Sequence, residues 1–262
     1  MTSDSKWTAV ILAGQRPGEN EFAAAHGLAW KALIPVAGEP MLGRVARTLL
    51  QTPAVGRIVV LAQEPQALTT GPLKWMAGEP RIAAALSGDG ISASVQALAG
   101  SETAPWPVLV VTADHALLTP AMVEEFVAGT QGADAAAAVV ERRVVEAAYP
   151  ETRRTWIKFS DGHYSGANLF ALAGPNARKA LDLWAEVERD RKKALRLLFH
   201  FGPLLALRAA LGLISLDDAL RTVGRKAGLA VRAVRLSQAE AAIDVDKPSD
   251  LALVELIFAR RA

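Results

Sequence analysis

Four places in this chain carry side chains whose types and spacing suit phosphate and cation chemistry. The first is Leu12-Ala-Gly-Gln-Arg-Pro-Gly18, which follows a short apolar run and is itself followed, after a polar stretch, by Lys31. A glycine-bearing loop after a strand lets backbone N–H groups approach a polyphosphate, and Arg16 and Lys31 supply the positive charge such an anion needs. Taken alone, the same pattern also describes an ordinary strand-to-loop connection. The second is Asp114, at the end of Val108-Leu-Val-Val-Thr-Ala113. A carboxylate there can hold a divalent cation against a phosphate. The alternative reading is a helix N-cap, but Asp114 stands too early to cap the helix that Thr119-Pro120 opens. The third is the pair Asp244 and Asp246, two carboxylates at i and i+2 in an extended turn that can point the same way. Asp250, four residues on, has a simpler role as an acid in the first turn of a helix.

The fourth place is Arg153-Arg-Thr-Trp-Ile-Lys158 with Asn168. The cations Arg153, Arg154 and Lys158 are candidates for binding a phosphate; the alternative is a solvated hairpin turning at Asp161-Gly162. Asn168 interrupts an otherwise apolar strand, and a polar amide there needs a partner. His115 beside Asp114 reads as packing or support rather than as a reacting group. Ser92 and Ser94 after Gly90 either contact a ligand or cap the following helix.

The elements that must position these residues follow from the hydrophobic pattern. Short apolar runs, several of them rich in Val and Ile, recur at Trp7 to Ala13, Arg57 to Ala62, Val108 to Ala113, Ala135 to Val140 and Ala167 to Leu172, with helix-length segments between most of them. Such alternation implies an α/β fold with a mostly parallel central sheet between helical layers. In these sheets ligands sit at the carboxyl ends of the strands, which is where Gly14, Asp114 and Asn168 fall. From Asp190 to Gly228 the pattern changes to continuous helix, broken at Gly202-Pro203, and reads as a helical insertion. Leu229 to Leu236 reads as a return strand, Ile243 to Lys247 as a polar turn, and Pro248 as the start of a closing helix.

Composition narrows the class. The 262 residues are about half apolar, enough for one large core, so a single domain spanning 1–262 with the insertion at about 190–228 is expected. The net charge of +2 arises from acids and bases spread along the chain, with no block of like charge, and a nucleic-acid partner is not expected. Cysteine is absent, which excludes disulfides and thiolate metal sites. The polar first residues lack a secretory core, so a cytoplasmic protein is expected. The apolar window from Ala194 to Leu216 carries Arg196, His200 and Arg208 and falls short of a spanning helix. Basic residues Arg189, Arg191, Lys192, Lys193 and Arg196 beside Leu197, Leu198, Phe199 and Phe201 do suit either core packing or peripheral membrane contact through 191–212.

One motif ties the candidates together. Lys31-Ala-Leu-Ile-Pro-Val-Ala-Gly-Glu-Pro-Met-Leu42, downstream of the Gly14 loop, resembles the signature of the MobA-like NTP-transferase superfamily, whose fold is a GT-A-like, Rossmann-type sandwich. Ile243-Asp-Val-Asp-Lys-Pro-Ser-Asp-Leu251 is similar to its Asp-x-Asp-x-Pro-x-Asp-Leu turn, and Gly88-Asp-Gly-Ile-Ser-Ala-Ser-Val-Gln96 to its Gly-x-x-x-Ser-Val turn. The resemblance implies nucleotide contacts from Leu12, Ala13, Gly14, Gly18, Gly90, Ser92 and Ser94. It implies phosphate contacts from Lys31 and Arg16, a Mg²⁺ or Mn²⁺ held by Asp114 and Asp246 with Asp244 in support, and an acceptor facing Arg153, Lys158 and Asn168. The first loop departs from the family's compact form and carries a longer arm, Glu19 to Ala29. The activity implied is transfer of an NMP group from an NTP, CTP or GTP by preference, to a phosphorylated small or lipid-like acceptor with release of pyrophosphate. The alternatives are a GT-A glycosyltransferase using a nucleotide sugar, which the Lys31 motif disfavours, and a non-catalytic nucleotide-binding protein.

Overall fold

The apolar runs become the inner strands of one sheet because both of its faces are covered. The structure, a computed structural model, describes residues 6–15, 18, 20–88, 90–189, 207–208 and 211–261. Arg16 and the basic-apolar stretch at 190–206 lie outside them. Strand β1 (Trp7–Leu12) runs parallel to β4 (Val55–Ala62) on one side and to β6 (Val108–Thr112) on the other. Side chains alternate between faces along a strand. Ala9 and Ile11 accordingly meet α2 (Met41–Gln51) and α5 (Pro120–Gly129), while Val10 faces α4 (Ile91–Leu98) and α7 (Arg178–Arg189). Burying each Val, Leu, Ile or Phe contributes about 1.5–3 kcal/mol, and two apolar layers explain why these strands read as unbroken runs rather than alternating ones.

The sheet has the order β10-β7-β9-β6-β1-β4-β5. Its edges are β5 (Ile82–Leu86), parallel to β4, and β10 (Val231–Arg235), parallel to β7 (Ala135–Glu141). Strand β9 (Gly162–Leu172) lies antiparallel between β6 and β7 and forms a hairpin with β8 (Ile157–Phe159). The sheet is therefore mostly parallel, as expected, with one reversed strand at its centre. Strand β5 is not evident from the sequence, since its Ile-Ala-Ala-Ala-Leu has little β-branching and only one face to bury. Strand β9 begins five residues before the apolar run because its first half pairs with β8 and with the end of β7. The helix expected to run on to Gly228 is interrupted: Leu211 to Ser215 form a turn and bend, with Gly212 at φ +64°. Helix α8 (Leu216–Ala227) starts anew with Ser215 as its N-cap and ends at left-handed Gly228. Among the described residues no helix is long and apolar enough to cross a membrane.

The Lys31 to Leu42 motif is a delivery device. Lys31–Leu33 form one 3₁₀ turn, and β2 (Pro35–Val36) and β3 (Glu39–Pro40) pair across a two-residue turn. Both turn residues, Ala37 (φ +46°) and Gly38 (φ +79°), are left-handed, which suits the right-handed twist of a tight hairpin. The Ala37 amide donates to Glu255 of α9 (Pro248–Arg261), and Arg44 of α2 donates to the carbonyls of Val36 and Ala37. The turn is thus pinned between two helices, and Lys31 stands at a set height above the sheet. Gly38→Ala meets no neighbour but must adopt a strained backbone. It is expected to lower unfolding free energy by about 1 kcal/mol, measured by urea denaturation. An unchanged midpoint would show that the turn tolerates a different geometry.

Candidate functional site

Three loops meet at the carboxyl ends of β1, β4 and β6. After β1, Gly14 allows a close approach: a Cβ there would stand 2.6 Å from Gln63 Oε1. Gln63, just past β4, accepts from the Gln15 amide at 3.2 Å and donates to the Gln15 carbonyl at 2.8 Å. The Gln15 side chain in turn donates to Ala29 O at 2.8 Å and accepts from the Lys31 amide at 3.3 Å. Two glutamines therefore tie the glycine loop to the lysine turn. Sequence reasoning missed both, because glutamine in a loop carries no signal beyond its place after a strand.

Lys31 crosses to the carboxylates. Its Nζ lies 2.6 Å from Asp114 Oδ2 and 2.5 Å from Asp246 Oδ1. Asp114 also accepts from Thr112 Oγ1 at 2.5 Å, and its carbonyl accepts from the Val245 amide at 3.1 Å, which stitches the 244–246 turn to the end of β6. Burial alone would lower the lysine's pKa, yet the charges and hydrogen bonds of Asp114 and Asp246 hold it above the ordinary value. The ammonium is therefore charged throughout the neutral range. The Asp246 side chain is 62% exposed while those of Lys31 and Asp114 are 19% and 20% exposed, so the cluster opens to solvent on the Asp246 side.

Behind this cluster stands Asp244. It accepts from Arg154 Nη1 at 2.6 Å and from Asn168 Nδ2 at 2.9 Å. Burial, and then the charges of Asp246 and Asp114, raise its pKa against the opposing pull of Arg154 and Asn168. Asn168 reaches Asp244 because it sits at a bulge in β9, opposite the break in the β7 register, with left-handed φ of +51°. The structure therefore supplies the partner that an amide in an apolar strand required. Arg154, one of the three cations read as facing an acceptor, is turned inward with its side chain only 9% exposed. Its Nη2 lies 3.5 Å from Asp250, whose other oxygen accepts from the Asp246 amide at 3.2 Å. Asp250 is buried and braces the turn, a larger role than the helix-dipole reading assigned to it. Arg153 and Lys158 are exposed on the arm and on β8, apart from these contacts. The two neighbouring arginines divide because only Arg154 faces the carboxylates.

The remaining candidates lie on other walls. Ser94 Oγ donates to Gly90 O at 2.7 Å and accepts from the Gly88 amide at 2.9 Å, so it braces the turn before α4. Ser92 Oγ and the amides of Ser92 and Ile91 all donate to Glu188 of α7, and these bonds hold that carboxylate below the usual range against the effect of burial. Glu188 is a partner that the sequence did not reveal. His115 is fully enclosed, and among the described residues neither ring nitrogen has a hydrogen-bond partner. Burial pushes it down to about 4 against the opposing Asp114 charge, so it packs as a neutral ring. Gly18 is exposed at φ +105°.

A model of the MobA-like NTP transferase domain matches residues 9–200 of the chain. The protein belongs to that family of nucleotidyltransferases. The chain is similar to a hypothetical transferase from Thermus thermophilus at 29% identity, covering 94% of this chain and 100% of that one, with a TM-score of 0.77. Its fold is shared at a TM-score of 0.60 with CMP:2-keto-3-deoxy-manno-octonic acid synthetase complexed with CTP, at 15% identity over 98% of this chain and 100% of that one. It is shared equally with 4-diphosphocytidyl-2C-methyl-D-erythritol synthase from Anaerococcus prevotii, at 11% identity over 97% of each chain and a TM-score of 0.60. No curated protein matches the sequence.

Because Arg154 neutralises a carboxylate that is largely out of water, removing it leaves that charge uncompensated. Arg154→Ala is expected to cost about 3 kcal/mol of stability, measured by chemical denaturation. Arg154→Lys should recover part of this, since it keeps the charge but loses the fork that reaches Asp244 and Asp250 together. A loss below about 0.5 kcal/mol, as for an exposed pair, would contradict the bracing role.

Proposed function

We propose that this protein transfers a nucleotidyl group from an NTP to a phosphorylated small-molecule acceptor and releases pyrophosphate. The observation that carries the reading is the convergence of Asp114 and Asp246 on one lysine, beside the Gly14 loop and at the carboxyl ends of the parallel strands. Membership of the family supports the reaction class. CTP is the first donor to test, because one fold neighbour is described in complex with CTP and another as a diphosphocytidyl synthase; GTP is the second.

The residues divide the work by charge. Loop amides from Leu12 to Gly14 and at Gly18, with Lys31 and Arg16, take the donor's phosphates, while the Gly90 turn, which Ser92 and Ser94 brace from within, faces the nucleoside. Lys31 steadies the charge that accumulates on the leaving pyrophosphate. An oxygen of the acceptor phosphate attacks the α-phosphorus; that P–O bond forms as the bond to the β-phosphate bridge oxygen breaks. No side chain has to act as a nucleophile, since positioning and electrostatic stabilisation supply most of phosphoryl-transfer catalysis. Arg153 and Lys158 draw in the acceptor's phosphate, and Asn168 and Arg154 keep Asp244 in place.

The donor set fits Mg²⁺ or Mn²⁺. The oxygens of Asp114 and Asp246 already converge on a cation, and they are hard ligands. Mg²⁺ takes one or two carboxylates and completes its shell with water and substrate phosphate, which two converging aspartates can provide. Asp114 and Asp246 would hold the ion, with Asp244 behind them, and it would supply neutralisation of charge at the α-phosphate.

Incubation with each NTP and a panel of phosphorylated acceptors, with pyrophosphate as readout, tests the reading. One pair should give pyrophosphate, and EDTA should abolish it. Lys31→Ala is expected to lower turnover on that pair by about 10²–10³-fold, or roughly 2.7–4 kcal/mol of barrier. Asp114→Asn and Asp246→Asn should remove the response to added Mg²⁺ while the fold survives. Consumption of a nucleotide sugar with no pyrophosphate from any NTP would replace the reading with glycosyl transfer. Unchanged Mg²⁺ titrations in both mutants would displace the metal assignment.

A further inference from the structure

Lys31 occupies the point on which the two carboxylates converge. The same residue is proposed above to serve the donor's phosphates, and its single ammonium cannot be shared freely between two positions. The local charges make the conflict concrete. Among the described residues, Asp114, Asp244, Asp246 and Asp250 place four carboxylates in one connected cluster, faced by two cations, Lys31 and Arg154. Arg154 is committed to the Asp244 and Asp250 side, where it is enclosed. Among the described residues, Lys31 is the cation paired with Asp114 and Asp246. Its backbone is fixed by the Gln15 bond and the 3₁₀ turn, but its side chain is a flexible four-carbon stem ending at the solvent-exposed Asp246. The ammonium can therefore swing while the turn stays still.

We propose that Lys31 is a resident counter-ion that closes the Asp114 and Asp246 pair to free divalent cations, so that the site accepts its metal only as a metal–NTP complex. With the ammonium 2.6 and 2.5 Å from one oxygen of each carboxylate, a free divalent cation meets a pair that is already partly neutralised and a like charge beside it, so it binds far more weakly than it would once the ammonium has left. The phosphates of an incoming nucleotide offer Lys31 an alternative anion, and its departure frees both carboxylates at the moment the chelated ion reaches them. The lysine thereby selects the form of the donor. This inference rests on the nucleotidyltransferase reading, and it concerns only the order in which the ligands enter.

Titration of the full-length protein with Mn²⁺ in the absence of nucleotide, followed by electron paramagnetic resonance, tests it. Wild type should bind Mn²⁺ weakly, and Lys31→Met, which keeps the chain length without the charge, should bind it at least about tenfold more tightly, within the range of ordinary site-to-site coupling. Lys31→Arg, which keeps the charge, should exclude Mn²⁺ as wild type does. Adding a non-hydrolysable NTP analogue should raise wild-type Mn²⁺ affinity and narrow the gap to Lys31→Met. Where Lys31→Met does not fold, Lys31→Gln retains a hydrogen-bond donor without the charge and makes the same comparison. Equal Mn²⁺ affinity in nucleotide-free wild type and the neutral variant, whether tight or absent, would overturn the proposal and leave nucleotidyl transfer standing on its pyrophosphate assay. Failure of every NTP to give pyrophosphate would sink the reading beneath it, while a difference between the variants would still show that Lys31 guards the carboxylates.

Discussion

Four carboxylates held within one cluster repel one another, and the fold around them is organised by how that repulsion is met. Lys31 comes from the turn before the small β2–β3 hairpin, and Arg154 from the arm between α6 (Arg142–Ala148) and β8. Asn168 comes from a bulge in the reversed strand β9, and the Asp246 amide from the acidic turn itself. Each reaches the cluster from a different part of the chain. The interactions are strong because much of the cluster is withdrawn from water, where a charge left without a partner costs several kcal/mol. The cluster is therefore a long-range staple that joins the front of the sheet to its carboxyl-terminal helix.

The same constraint explains the local irregularities. A non-glycine residue in the left-handed region is unfavourable by about 1–2 kcal/mol, yet Ala37 and Asn168 both adopt it. Ala37 does so in the hairpin that sets the position of Lys31, where Glu255 and Arg44 hold its backbone. Asn168 does so where β9 must bend to bring its amide onto Asp244. Strain of this kind persists where surrounding contacts over-determine it. Both sites lie in the second layer around the lysine and the carboxylates, which is where a rigid support is most useful to a charge-positioning site.

Much of the scaffold was legible in the residues. Strands β1, β4, β6 and β7 are β-branched or uninterrupted apolar runs that punctuation bounds, and burial on both faces makes that pattern plain. The strand-end rule then pointed to Gly14 and Asp114, and the acidic turn was visible from two aspartates at i and i+2. Strand β5 was hidden by its alanines, and the break at Leu211 to Ser215 by a leucine-rich composition that suits helix as well as turn.

What the sequence by itself determined is the inventory: an α/β sheet with its ligand edge, a lysine in a long turn motif, three acidic positions, and a polar amide that needed a partner. Tertiary structure alone decided the pairings. It turned Arg154 inward and left Arg153 and Lys158 outside, matched Asn168 to Asp244, placed Gln63 against Gln15, and set Glu188 on Ser92. The physical reason is that composition and periodicity report which face of an element is buried. Partners 76 to 215 positions apart, such as Asn168 with Asp244 and Lys31 with Asp246, are chosen by sheet order and by electrostatic compensation across loops, which leave no local pattern.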